Sequence, residues 1–222
     1  SSKAMHFNVD QDLSLLTDDQ LLELASKVAT IADIDRRENQ LFYYEPANPT
    51  IARIHALTCG TIGIFGGNGS GKTEHALVEG IIRCTGQIPL SLKSTYPREK
   101  LRGPIHMRVV CESLTTVLEP IILPKLQWMT WSGLPPQGGK QGHWGWIPRH
   151  CLIQGDWKKS YNSRLRILTV LYRNPVTDIV EGTSSIQFMS YDQNSTDFAS
   201  GDVHYCLHDE PPTYAIWKEN RA

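Results

Sequence analysis

An α/β fold, with a mostly parallel central sheet and helices on both of its faces, is what this sequence predicts, and three observations predict it. Short apolar runs of strand length alternate with amphipathic stretches of helix length, the order that builds a parallel sheet with crossover helices. A glycine-rich turn, Gly66-Gly67-Asn68-Gly69-Ser70-Gly71-Lys72-Thr73, stands between one such run and one such helix. A later run ends in two adjacent carboxylates, Asp209 and Glu210.

The first element is a helix over Leu13–Ile34, where Leu15, Leu16, Leu21, Leu22, Leu24, Val28 and Ile31 recur at helical spacing. Thr17 followed by Asp18, Asp19 and Gln20 supplies its N-terminal cap. Its apolar stripe suits core packing first and partner contact second. The prolines of Tyr43-Tyr44-Glu45-Pro46-Ala47-Asn48-Pro49 make that stretch an extended loop. A short helix over Thr50–Leu57 follows, capped by Thr50 or Asn48. Thr61–Phe65 reads as a buried parallel strand, and Lys72–Cys84 as a helix stopped by Gly86. His106–Cys111 is a second strand. Ser113–Leu126 reads as a helix broken at Pro120 and Pro124. Trp128, Trp131, Trp144, Trp146 and Trp157 lie among glycines and prolines, which marks an ordered excursion rather than a regular element. These rings suit buried packing, with base stacking or a subunit contact as the alternative. Leu165–Tyr172, Ser185–Ser190 and Asp202–Leu207 complete the strands.

A chain of 222 residues is long enough for one α/β domain. Residues 1–40 form an N-terminal helical segment in this reading, and 41–222 the main domain. Met5 reads as a natural start, which would make Ser1–Ala4 a remnant of expression. With 40% hydrophobic and 20% charged residues the chain is neither disordered nor, at a formal net charge of −1, a uniformly basic nucleic-acid binder. The longest apolar runs, Thr61–Phe65 and Glu119–Pro124, are too short to cross a bilayer, so no membrane role is expected. Cys59, Cys84, Cys111, Cys151 and Cys206 contain no Cys-x-x-Cys pair, which points to reduced thiols rather than to a zinc site. Two local basic clusters, Lys93/Arg98/Lys100/Arg102 and Lys158/Lys159/Arg164/Arg166, suit either a solvated face or contact with DNA phosphates. His204 and His208 alternate along a strand and read as packing or hydrogen-bonding histidines.

The glycine-rich turn fits G-x-x-x-x-G-K-[ST] at every position. Its chemistry follows from its residue types. Gly66, Gly67, Asn68, Gly69, Ser70 and Gly71 let the backbone curl with its N–H groups inward, a nest for phosphate oxygens. The helix that starts here adds its positive dipole end. Lys72 neutralises charge on the β and γ phosphates of ATP, and the Thr73 hydroxyl ligates Mg²⁺. Asp209 then holds the same Mg²⁺ from the end of its strand, and Glu210 orients or deprotonates the attacking water. Lys72 and Glu210 are thus the candidate catalytic residues, Thr73 and Asp209 the candidate metal ligands. Alone, the carboxylates would suit a solvated turn before Pro211-Pro212; their place downstream of a complete phosphate loop decides for the metal-and-base reading.

Three groups of residues carry a resemblance. Gly66–Glu74 with Glu79 and Thr85-Gly86 resembles the phosphate-loop region of the large terminase subunits of tailed bacteriophages. Ser190-Tyr191-Asp192-Gln193, Phe198-Ala199-Ser200-Gly201 and Leu207–Pro212 are similar to that family's approach to its second acidic motif. Tyr44-Glu45-Pro46, with Pro49 and His55, is similar to its adenine-side segment, which adds Tyr44 and Pro46 to the candidate nucleotide contacts. The resemblance implies a P-loop NTPase of the RecA-like (ASCE) type, a three-layer sandwich. It further implies hydrolysis of ATP coupled to pumping double-stranded DNA into a procapsid. The motor would be a homo-oligomeric ring on the portal protein, working with a small terminase subunit in the host cytoplasm and absent from the mature virion. A helicase- or recombinase-like motor and a nucleotide-dependent binding switch are the alternatives.

The sequence departs from the family at three places. Ile51 stands where relatives often carry an adenine-binding Gln, Gly69 where many carry an Arg, and Ser200 where others do. Arg98, Arg102, Arg164, Arg166 and Arg173 remain as sources of a charge-stabilising guanidinium, with a neighbouring subunit as the other. The family's coupling motif, lid subdomain and nuclease would lie beyond Ala222.

Overall fold

The computed structural model describes residue 13 and residues 16–64, 71–130, 142–199 and 201–220. The chain separates into two units, Ser1–Arg36 and Arg37–Ala222. Helix α1 (Asp18–Glu38) dominates the first and runs to its boundary. It opens on a reciprocal cap: the Gln20 amide donates to Thr17 Oγ1 at 3.4 Å and the Thr17 amide to Gln20 Oε1 at 2.9 Å, which satisfies two otherwise unpaired N–H groups. No residue of α1 is buried. Leu22, Val28, Ile31 and Ile34 are each more than half exposed, so the predicted core role is not what this helix shows. Among the described residues of its unit no second helix or strand faces it.

The second unit begins with the loop through Tyr44. Helix α2 (Pro49–Ala56) is capped by Asn48, whose Oδ1 accepts from the Ile51 amide at 3.0 Å. Residues 61–64, predicted as a buried strand, pair with no strand and are exposed or half-buried; Gly60 and Gly63 deprive the run of packing side chains. Phe65 lies outside the described residues. Helix α3 (Lys72–Thr85) leaves Gly71 at φ 75° and stops at Gly86, φ 70°, the left-handed positions that glycine adopts without strain. Strand β1 (His106–Cys111) follows. Ser113 caps a wide π-helical run, Leu114–Ile122, which continues directly into α4 (Leu123–Gln127). Pro120 and Pro124 do not end the helical course, which changes from π-helical to α-helical between them, after Ile122. Strands β2 (Trp128–Thr130) and β3 (Gly142–Trp144) pair antiparallel, so the tryptophan-rich excursion contains regular structure. Helix α5 (Trp157–Ser160), β4 (Tyr161–Asn162), β5 (Ile167–Arg173), β6 (Val180–Ser190), β7 (Tyr205–His208) and α6 (Tyr214–Glu219) complete the unit.

Among the described residues the main sheet has five strands, in the order β4-β5-β6-β1-β7. Strand β1 runs parallel to both β6 and β7. β5 runs antiparallel to β6, and β4 to β5. Four of the five strands thus point one way, as in the mostly parallel sheet predicted, and β5 runs against them. The connection over residues 174–179 explains this: it is too short for the crossover that a parallel pair needs. The side chains of β1 alternate between two cores. Met107, Val109 and Cys111 pack with α3 and the π-helical run, and Val110 packs with Met189, Phe198 and Ile216. Arg108, 1% exposed, shares the second side. Its guanidinium donates to Gln187 Oε1 at 3.2 Å, the Phe198 carbonyl at 2.8 Å and Asn220 Oδ1 at 2.6 Å. Gly80 lets α3 lie directly on the sheet, since a Cβ there would stand 2.4 Å from Met107 Cε and 3.1 Å from the Tyr205 ring. Among the described residues no helix is long and apolar enough to cross a membrane.

Candidate active site

Parallel strands point their carboxyl ends at one edge of a sheet, and ligands of α/β proteins bind there. The Asp209 amide donates to the Val110 carbonyl at 3.0 Å, which continues the β1–β7 ladder one residue past β7 and fixes Asp209 at that edge. Helix α3 begins opposite. Thr73 Oγ1 donates to Asp209 Oδ1 at 2.5 Å, so residues 136 positions apart in sequence meet at one point. A threonine hydroxyl and a carboxylate are hard oxygen donors, the chemistry that suits Mg²⁺, which takes only one or two carboxylates and keeps water and phosphate oxygens as its other ligands. Among the described residues no group of three His, Cys, Asp or Glu side chains is placed to hold a metal. Lys72 is half-buried beside Thr73, and Glu210 is exposed. Gly66, Gly67, Asn68, Gly69 and Ser70 lie outside the described residues.

Glu210 is tethered through its backbone. Tyr191, at the end of β6, donates its hydroxyl to the Glu210 carbonyl. The Tyr191 ring stacks on His208, with centroids 6.1 Å apart and planes 12° apart, and its oxygen lies 3.3 Å from His208 Nδ1. Burial, reinforced by the nearby Arg108, pushes His208 down to about 4 and keeps it neutral. Burial also pushes the Tyr191 hydroxyl well up.

Behind α3 lies a buried polar network, which the sequence reading touched only as separate residues. Tyr44, 3% exposed, places its hydroxyl 2.8 Å from His55 Nε2 and 2.6 Å from His75 Nδ1. His55 Nδ1 donates to Glu79 Oε2 at 2.8 Å. Glu79 Oε1 in turn receives Lys100 at 2.6 Å, Arg83 at 2.9 Å and the Tyr96 hydroxyl at 3.1 Å. Burial alone would push Glu79 up, but His55, Lys100 and Arg83 outweigh it and hold the carboxylate at about 2. Lys100, read from sequence as part of a surface basic cluster, is thereby an internal counter-ion; it is 9% exposed and also donates to the His55 carbonyl at 2.8 Å. The signal for it was Glu79, a charge among the apolar positions of a core helix. Pro46 is half-buried near Tyr44, and Ile51 is buried.

No protein-family model and no curated protein matches the chain. Among solved structures it resembles a phage terminase domain. The Thermus phage P74-26 large terminase ATPase domain, and an arginine-to-alanine mutant of it, each align at 16% identity with a TM-score of 0.43. The alignment covers 81% of this chain and 62% of theirs, so the chain spans less than two thirds of their length. At that score the likeness is broad, and the site stands on its own geometry.

The candidate arginines divide between the two ends of the sheet. Arg98 and Arg102 line an open cleft with Tyr172, Asn174 and Glu181. Arg173 is held by the Asp178 and His150 carbonyls. All three therefore sit at the start of β6, roughly 30 Å along the strand from the end that faces Asp209, at about 3.3 Å per residue. Arg166, by contrast, accepts the Phe188 amide on its carbonyl at 2.9 Å, which places it at the site's end of the sheet. It is nevertheless three strands from β7, roughly 14 Å at the usual strand spacing. Arg164 lies in the adjoining turn, and Ser200 is outside the described residues.

Proposed function

We propose that this chain is the ATPase module of a DNA-packaging motor of the large-terminase type, hydrolysing Mg-ATP to drive double-stranded DNA into a procapsid. The observation that supports the reading is the 2.5 Å hydrogen bond from Thr73 to Asp209, because it joins the two segments that the reading assigns to one nucleotide. Thr73 and Asp209 would hold magnesium, whose charge offsets that of the β and γ phosphates. The backbone amides of Gly66–Gly71 receive the phosphate oxygens, and Lys72 adds a mobile positive charge. Glu210 takes the proton of the attacking water as its oxygen bonds to the γ-phosphorus and the bond to the β-phosphate oxygen breaks, releasing ADP. Tyr44 and Pro46 bound the adenine side. Arg98, Arg102 and Arg173 are too remote within one chain to meet the γ-phosphate. A neighbouring subunit of a ring is thus the fitting source of the guanidinium, and the turn holding Arg164 and Arg166 is its nearest same-end counterpart. The portal protein, a small terminase subunit and duplex DNA are the partners this reading carries, and the host cytoplasm during assembly its location.

Replacing Glu210 by Gln tests it. Steady-state turnover should fall roughly 100-fold or more, the scale of a lost general base, while calorimetric affinity for ATP with magnesium stays within about threefold. Turnover that survives the substitution would mark a nucleotide-dependent binding switch and remove hydrolysis from the reading.

A further inference from the structure

Three separate segments converge on one buried hydroxyl. Tyr44 belongs to the loop before α2, His55 to the last turn of α2 and His75 to the first turn of α3, and the Tyr44 oxygen lies within 2.8 Å of a ring nitrogen of each histidine. One order of donors serves all three bonds. Glu79 accepts from His55 Nδ1, which leaves His55 Nε2 with a lone pair for the Tyr44 hydroxyl. The Tyr44 oxygen then accepts from His75 Nδ1.

Both ends of this chain are anchored. At one end, Lys100 donates to Glu79 and also to the backbone carbonyl of His55, so the carboxylate that orients the imidazole is fixed to the same residue's main chain. At the other end the His75 ring reaches the phosphate loop: its Nε2 lies 3.2 Å from the position of a Cβ on Gly71. Two further ties hold the same parts together. Ser91 Oγ donates to the Tyr44 carbonyl at 2.6 Å. Trp146 meets the Tyr44 ring edge-on at 5.5 Å and donates its Nε1–H to Glu74 Oε1 at 2.9 Å.

We propose that the Tyr44 hydroxyl is a positioning group that sets the spacing between the adenine-side segment and the phosphate loop, and so governs affinity for base-bearing nucleotides rather than for polyphosphate itself. This rests on the nucleotide site assigned above. The segment that carries Glu45 and Pro46 leaves Tyr44 directly, so the Tyr44–His75 hydrogen bond ties it to the first turn of α3 beside Gly71, while the Tyr44–His55 bond braces the same oxygen against α2. Polyphosphate needs only the loop, Lys72 and the helix dipole. A nucleoside triphosphate needs the loop and the base wall at the correct separation at once, and a wall held in place before binding costs less to order.

The test compares two ligands on four proteins: Mg-ATP and Mg-tripolyphosphate, each titrated calorimetrically into the full chain, its Tyr44→Phe variant, its His55→Gln variant and the double variant, with folding checked by circular dichroism. Phenylalanine keeps the ring against Trp146 and removes only the oxygen. Affinity for ATP should fall roughly threefold to tenfold, the scale of one net hydrogen bond, with tripolyphosphate unchanged within twofold. The double variant should bind ATP no worse than Tyr44→Phe alone, because both changes cut one chain. Equal losses for both ligands would reduce the hydroxyl to general support of the fold and overturn the proposal, as would an unchanged ratio in the variant. Failure of the unsubstituted chain to bind ATP would instead remove the nucleotide site, and the positioning role with it.

Discussion

Glu79→Gln is the substitution whose cost can be worked most directly from the structure. The carboxylate is 3% exposed and faces Lys100, Arg83 and His55. Holding it at about 2, against an ordinary value of 4.5, amounts to about 3 kcal/mol of preference for the charged form in the folded protein. Glutamine keeps the volume and can still accept from His55 and Tyr96, but it leaves the buried Lys100 and the half-buried Arg83 without their anion; breaking such a cluster costs roughly 3–5 kcal/mol. For a chain of this length about 3 kcal/mol lowers the melting temperature by roughly 6–12 °C, which differential scanning calorimetry at pH 7 reads directly. The pH dependence carries the same information with a definite sign. A carboxylate whose folded value is depressed contributes its stability in full above its unfolded value and loses it as the pH falls through the folded one. The gap between wild type and variant should therefore be constant above about pH 5 and narrow steadily from pH 4.5 toward 2. A melting shift under 2 °C, or a gap that ignores acid, would refute the view that this carboxylate is a charged hub.

Two other substitutions probe how the site is held. Gly80→Ala should destabilise the chain by about 1–2 kcal/mol in urea unfolding, because overpacking against the buried Met107 outweighs alanine's helical preference; Met107→Ala in the same chain should restore part of the loss, and a stabilised single variant would show that α3 does not rest on β1. Tyr191→Phe releases the Glu210 carbonyl and should lower turnover roughly threefold to tenfold with nucleotide affinity intact; an equal further loss in a Glu210→Gln background would show that Tyr191 acts elsewhere.

The elements read correctly from sequence are those whose signals are local. Strand β1 has the predicted bounds, and α3 stops at the Gly86 named for it. Asn48 caps α2 because its side chain and the Ile51 amide are three residues apart. The acid pair stands at a strand end because the apolar run before it alternates as a half-buried strand does. What escaped the reading depends on partners distant in sequence. Lys100 looks like a surface lysine until Glu79 is brought beside it. The antiparallel direction of β5 follows from a tight turn whose ends had been placed too far apart, since β6 begins five residues before the predicted strand. The stripe on α1 has helical period, which predicts a helix and is silent on what covers it. Tyr44 and His55 were singled out one by one; that a single oxygen joins them to His75 is visible only in three dimensions.

Arg108 has a consequence for how the acid pair can move. Its guanidinium grips the carbonyl of Phe198, upstream of Asp209 and Glu210, and the side chain of Asn220, downstream of them. Both flanks of Asp209 and Glu210 are thus moored to the same strand, β1. Any rearrangement there must either travel with β1 or slip one of these moorings, one of which ties down the end of α6 itself at Asn220.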